Sequence, residues 1–252
     1  MPWLHRNGAE IYFEEHGAGV PVLLFAPGFL RSRIERWAGN PERPEVPPAA
    51  ANPITELASS FRLISMDQRN AGRSRAPIGV ADGWATYTAD HLALLDHLGV
   101  ERCHAMGACI GVSFCLALCE AAPERVAAMV LQNPIGLAGG NGPVLRALFD
   151  TWAREVTRWP DVDPARVEAL WSRMFGGDFM FSVTRDFVAR CAHPMLIMPG
   201  DDREHPAEVS AELARLAPHA EVVAPWKGPA HHGPAMEAVR AFLVRHTPPV
   251  YR

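Results

Sequence analysis

Residues 107–111 read Gly107-Ala108-Cys109-Ile110-Gly111. A short apolar run, 103–106, enters this stretch, and an unbroken helical run, 110–122, leaves it. A chain that turns from strand to helix within one residue forces that residue into a strained backbone. Its neighbours two positions away on either side must then be small, here Gly107 and Gly111. The apex side chain is pushed outward at a helix N-terminus, which favours negative charge. At such a place a thiol loses its proton more readily, so Cys109 is the candidate nucleophile. A free thiol with a pKa of about 8.5 is only a few per cent thiolate at neutral pH. It therefore calls for an imidazole to take its proton and a carboxylate to orient that imidazole.

The elements needed to position such groups are visible along the chain. Leu4-His5-Arg6 and Ile11-Tyr12-Phe13 flank Asn7-Gly8, a tight-hairpin signal. Apolar runs at 22–26, 61–66, 103–106, 127–131, 195–198 and 220–223 suit strands buried on both faces. Helical patterns at 87–98, 110–122 and 207–216 separate several of them, which predicts a mostly parallel sheet. The hairpin and the six further runs make eight strands. Prolines 41, 44, 47, 48 and 53 break the alternation between residues 38 and 53, predicting an irregular loop near the site mouth or a surface insertion. Residues 137–192 read as helical without strand signals, with Asp163 capping a helix that opens at Pro164 and closes at Gly176.

Composition bounds the function classes. The 252 residues suffice for one large α/β domain, with 48% hydrophobic and 21% charged residues. A net charge of −4 offers no basic stripe and argues against nucleic acid. The opening Met1-Pro2-Trp3-Leu4-His5-Arg6 lacks the apolar core of a signal peptide, and no apolar run reaches membrane-spanning length. Five cysteines without metal-ligand spacing predict free thiols in a reducing, cytoplasmic compartment and no metal.

The Gly-x-Cys-x-Gly turn resembles the nucleophile elbow of the α/β-hydrolase superfamily, with sulfur in place of oxygen as in dienelactone hydrolase-like members. Further stretches share that resemblance. Pro199-Gly200-Asp201-Asp202-Arg203-Glu204-His205-Pro206, after the seventh strand, is similar to the family's acid loop. Counting back from its last proline selects Asp202, with Asp201 open. Gly228-Pro229-Ala230-His231-His232-Gly233-Pro234, after the eighth, resembles the base loop and selects His231, with His232 as runner-up. The order nucleophile, acid, base matches the superfamily. The resemblance implies oxyanion donors in the backbone N–H groups of Ile110 and of Phe29, within Ala26-Pro27-Gly28-Phe29. Asp67-Gln68-Arg69-Asn70-Ala71-Gly72-Arg73-Ser74 resembles a structural loop of the family, with Asn70 where glycine is usual.

The resemblance thus implies an α/β-hydrolase fold, an eight-stranded mostly parallel sheet flanked by helices. It is expected as a single domain over 1–252 with a small helical lid inserted at about 137–192. Trp152, Trp159 and Trp171 concentrate in that segment, and some of its aromatics are expected to face a pocket for a small apolar or aromatic substrate. Arg31 or Arg33 would pair with a substrate carboxylate. Because thiolate leaves a tetrahedral intermediate easily, the expected reaction is hydrolysis of an activated ester, lactone or thioester through an acyl-enzyme. Acyl transfer through the same intermediate is the alternative, and a silent ligand-binding fold is the reading from another class. No cofactor is expected. The expected partner is a small-molecule substrate, without nucleic acid or membrane, and a homodimer is left open.

Overall fold

In the computed structural model, residues 2–42, 44–45 and 51–248 are described. The opening hairpin joins β1 (Trp3–Arg6) to β2 (Ala9–His16). Asn7 and Gly8 both take positive φ, 46° and 76°, as a two-residue turn matched to strand twist requires. Then follow β3 (Pro21–Phe25), α1 (Pro53–Leu57), β4 (Arg62–Met66) and α2 (Trp84–His97). Next come β5 (Cys103–Ala108), α3 (Ile110–Ala121) and β6 (Val126–Gln132). Three helices, α4 (Gly142–Val156), α5 (Pro164–Phe175) and α6 (Arg185–Arg190), precede β7 (Met195–Met198). The chain ends with α7 (Ala207–Leu216), β8 (Ala220–Val222) and α8 (Pro229–Arg245).

The eight strands form one sheet in the order β1-β2-β4-β3-β5-β6-β7-β8. Pairing is antiparallel from β1 through β2 to β4 and parallel from β4 to β8. The predicted sheet is therefore present, with the strand that delivers Cys109 at its centre. Alternate residues of the central strands feed two cores. Leu23, Phe25, Ala105 and Leu131 pack with α2 to α7 on one face. Val22, Leu24, Met106 and Val130 pack with α1 and α8 on the other. Residues 110–119 of α3 are all buried, which explains a helix pattern with no polar face.

Asp163 caps α5 by accepting from the Ala165 N–H at 2.9 Å, as its position before Pro164 predicts. Prolines 47 and 48 lie outside the described residues, while Pro53 opens α1 behind an Asn52 cap. Among the described residues no helix is long and apolar enough to cross a membrane.

Candidate active site

The turn between β5 and α3 has the geometry its sequence demands. Cys109 sits at φ 57°, ψ −121°, a strained conformation for a side-chain-bearing residue. A Cβ on Gly107 would lie 2.2 Å from the Gly111 carbonyl oxygen, and one on Gly111 would lie 2.1 Å from that of Phe25. Strand, helix and neighbouring strand pass so closely that only glycine fits at either position. The Cys109 N–H donates to the Gln132 oxygen at 3.0 Å, fixing the apex to the end of β6.

Phe29 opens a short 3-10 turn and also takes positive φ, 56°, behind Gly28 at φ 120°. Its ring stacks on Phe175 of α5, with centroids 4.5 Å apart. This contact holds the unusual backbone from the side of the helical segment. The Ile110 N–H, at the first position of α3, has no intrahelical acceptor. The 67–74 loop supports the same region. Asp67 accepts from the Ile34 N–H at 2.8 Å and from the Arg73 N–H at 2.9 Å. Asn70 takes φ 59°, which explains asparagine where glycine is usual.

The groups facing Cys109 come from the 199–206 loop. His205 is buried, and its Nδ1 lies 2.9 Å and 3.0 Å from the two Asp202 oxygens. Asp202 Oδ1 also accepts the backbone N–H groups of Glu204 and His205, each at 2.9 Å. Gly200 is required here, because a Cβ would lie 2.3 Å from the His205 carbonyl oxygen. Burial opposes charge on His205. The nearby Cys109 and the hydrogen bond to Asp202 outweigh it, raising the imidazole pKa to about 10. The hydrogen bond from His205 holds Asp202 well below the usual carboxylate range. His205 Nε2 is buried without a hydrogen-bond partner among the described residues, and Cys109 lines the same cavity. Loose thiol–imidazole alignment is common before substrate tightens it.

The sequence offered His231 or His232 as the base, and the structure brings neither into the cavity that Cys109 lines. His231 and His232 do not meet Cys109. Gly228, at φ 86°, and Pro229 start α8 at once, and both histidine N–H groups bond the Gly228 oxygen. No loop is left to carry an imidazole back to the elbow. His231 is exposed, and His232 Nε2 lies 3.1 Å from Glu56 Oε1. Asp201 pairs with Lys227, so Asp202 is the carboxylate turned to an imidazole. The signal missed was local. Asp202 and His205 are three residues apart in a tight loop, close enough for side chain to meet side chain.

Cys109 and His205 line a cavity of about 530 Å³. Phe29, Val144 and Leu148 supply its apolar wall, and Arg31 and Arg36 its positive one. Gly39 and Asn40 line it too, which places the start of the proline-rich stretch at the mouth. Arg36 is a residue the sequence did not single out. It is buried, its Nη2 pairs with Glu42, and its Nε has no partner among the described residues. Arg33 instead pairs with Glu42 at 2.7 Å.

The tryptophans of the helical segment are not brought into this cavity. The Trp152 indole N–H donates to the Asn70 oxygen at 3.0 Å. Trp159 lies under the Arg75 guanidinium, 3.1 Å from it, and Trp171 packs on Phe149 and Phe175. They fix the helices to the core, so the apolar wall comes from α4 and Phe29.

A family model described as the alpha/beta hydrolase fold matches residues 21–224. The chain belongs to the α/β-hydrolase family. It is 33% identical over 159 residues to a protein of Azorhizobium caulinodans named carbamate hydrolase RutD. That match covers 61% of this chain and about half, 51%, of the relative's own length. Among solved structures, a variant of the meta-cleavage product hydrolase CumD of Pseudomonas fluorescens superposes with a TM-score of 0.70 at 19% identity. It covers 94% of this α/β hydrolase and 95% of that chain. The enol-lactonase of Burkholderia xenovorans LB400 superposes with a TM-score of 0.66 at 20% identity, covering 96% and 100%. At these identities both likenesses show the fold alone.

Proposed function

We propose that this α/β hydrolase cleaves activated esters, lactones or thioesters bearing a carboxylate, through a Cys109–His205–Asp202 triad. The observation that carries the reading is His205, which has Asp202 on Nδ1 and lines the same cavity as Cys109. Thiolate and imidazolium stabilise each other, and the carboxylate holds the ring orientation.

Thiolate attack on the acyl carbon forms a tetrahedral oxyanion, for which the N–H groups of Phe29 and Ile110 are the proposed donors. The His205 imidazolium then gives its proton to the departing oxygen or sulfur, and the carbon–leaving-group bond breaks. This leaves an acyl thioester on Cys109 and a neutral imidazole. Water, deprotonated by His205, attacks the thioester, releases the acid and restores the ion pair. Because sulfur is itself a good leaving group, the first intermediate reverts unless the substrate's own leaving group is comparably good. Enol, aryl and thiol leaving groups meet that condition.

Arg36 selects within this class. Its unpaired Nε and the guanidinium of Arg31, which also pairs with Glu155, give the cavity positive groups beside the apolar Val144 and Leu148. That arrangement suits a small acyl compound with an apolar body and an anionic end. The RutD-named relative makes carbamates a necessary member of any substrate panel.

The test is a panel of aryl esters, enol lactones, acyl thioesters and carbamates, each with and without a terminal carboxylate. We expect turnover on activated acyl compounds and a preference for the anionic member of each pair. Arg36→Gln should remove that preference through KM. Turnover that persists in Cys109→Ala would overturn the covalent reading.

A further inference from the structure

A second group of reactive side chains lies at the far end of α3. Cys119 is ten residues from Cys109, about 15 Å along the helix axis. Its Sγ is 3.8 Å from Sγ of Cys191, the residue that ends α6. Cys191 Sγ is in turn 3.8 Å from His193 Nδ1, and all three donor atoms lie within 4.8 Å of one another. Both cysteines are buried and His193 is half-buried, which leaves an approach from solvent on the imidazole side. We infer that Cys119, Cys191 and His193 form a binding site for a thiophilic dication, with zinc the best fit.

Three features favour a metal over a plain thiol pair. First, Zn–S bonds of about 2.3 Å in a tetrahedron place two sulfurs about 3.8 Å apart. The sulfurs already have that separation. Second, the imidazole is oriented as a ligand. His193 Nε2 lies 2.9 Å from the Pro123 carbonyl oxygen, which can only accept, so Nε2 carries the proton. In the neutral ring the Nδ1 lone pair is then left toward the sulfurs, the second-shell pattern of metal-bound histidine. A thiol pair alone has no need of it. Third, Cys119 lies in the last turn of α3 and Cys191 at the end of α6, and helix C-termini favour a cation.

Two thiolates and a neutral imidazole balance a dication, so the buried site carries no net charge. Each ligand atom that holds a proton must lose it as the metal–sulfur and metal–nitrogen bonds form, so binding is accompanied by proton release. Three protein ligands leave a fourth position for water. A filled site would tie the helical segment to the buried helix that carries Cys109, acting on stability and not on turnover.

The experiment uses the reduced full chain and its Cys109→Ala variant, so that the elbow thiol does not contribute. Zn²⁺ alone and Co²⁺ alone are titrated against a chromophoric competitor. We expect one ion per chain in both proteins, release of protons, thiolate-to-cobalt charge-transfer absorption and a rise in Tm. Cys119→Ser and Cys191→Ser should each weaken binding by more than about 100-fold, beyond the loss typical of outer-shell changes. His193→Gln should shift the visible cobalt bands while keeping the charge-transfer band. If the serine variants do not fold, the charge-transfer band and His193→Gln decide alone. Absence of micromolar binding overturns the inference, as does binding indifferent to both serine variants. An unchanged cobalt spectrum in His193→Gln, or absence of the charge-transfer band, also does so. So does a purified chain two hydrogens lighter in mass, joined at Cys119–Cys191, that binds no metal once reduced.

Discussion

Asp202→Asn should lower the basic limb of the kcat/KM–pH profile without unfolding the site. The active form needs a Cys109 thiolate together with a protonated His205, so the basic limb reports loss of the imidazolium proton. Raising the His205 pKa from 6.5 to about 10 corresponds to about 5 kcal/mol in favour of the charged ring. Burial opposes this, and Cys109 and Asp202 supply it. The Asp202 side chain is 44% exposed, so solvent screens its share to about 1–2 kcal/mol. Asparagine keeps the shape and can still accept from the ring N–H, but it removes the charge. The limb should therefore fall by about one pH unit, from near 10 toward 9. The assay is kcat/KM for an aryl ester between pH 5 and 10.5, corrected for background hydrolysis. Asp201→Asn is the control, since Asp201 pairs with Lys227 and not with an imidazole. An unmoved limb in Asp202→Asn, or a moved one in Asp201→Asn, would refute the placement of the acid.

The other expectations follow from the same loop and core. His205→Ala should cut turnover by about 10²–10⁴-fold, while His231→Ala and His232→Ala leave it within a few-fold, read as kcat/KM on one aryl ester. Gly200→Ala should reduce activity and Tm together, because its Cβ would meet the His205 backbone at 2.3 Å. Acidification should destabilise the fold through histidines buried in neutral form. Burial pushes His91 down to about 3 and His104 to about 4, so the unfolded chain takes up protons first as pH falls below 6.5. Between pH 7 and 5 each should cost about 2 kcal/mol in urea unfolding, and His91→Gln should remove its own share of that slope. The raised pKa of His205 acts at the other end. Its contribution is complete below about 6.5 and is lost as pH rises through about 10, whereas that of Asp202 is lost only as pH falls below about 3.8.

What could be read from the sequence was whatever steric necessity dictates. Gly107 and Gly111 announce a strand and a helix passing at contact distance, and a Cβ at either would indeed overlap backbone. The strands were legible because a sheet covered on both faces needs continuous apolar runs, as at Pro21–Phe25 and Val126–Gln132. The place of His205 beside Asp202 was not legible, because family order is a convention of topology and not a requirement of the chemistry. An imidazole must reach the thiol and a carboxylate must reach the imidazole, and any loop at the carboxyl ends of the strands can meet that condition. Side-chain direction was hidden as well. A run of aromatics between β6 and β7 does not say whether indoles face a cavity or the core, and Trp152 is turned to Asn70. Arg36 escaped notice for a related reason. Nothing in a linear string tells a buried guanidinium from a surface one.

Placing acid and base on one loop changes what the site depends on. In a triad drawn from three loops, the imidazole is positioned by whatever follows β8. Here β8 is three residues long and largely exposed, and the chain enters α8 soon after it. The 199–206 loop instead organises itself. Asp202 faces His205 Nδ1 and accepts two backbone N–H groups, Gly200 makes room for the His205 backbone, and Ser210 Oγ accepts the Gly200 N–H at 3.1 Å. The carboxylate that tunes the imidazole is thus the same group that folds the loop presenting it. Loosening the β8 edge should lower stability while leaving the pH profile in place, whereas loosening this loop should disturb both at once.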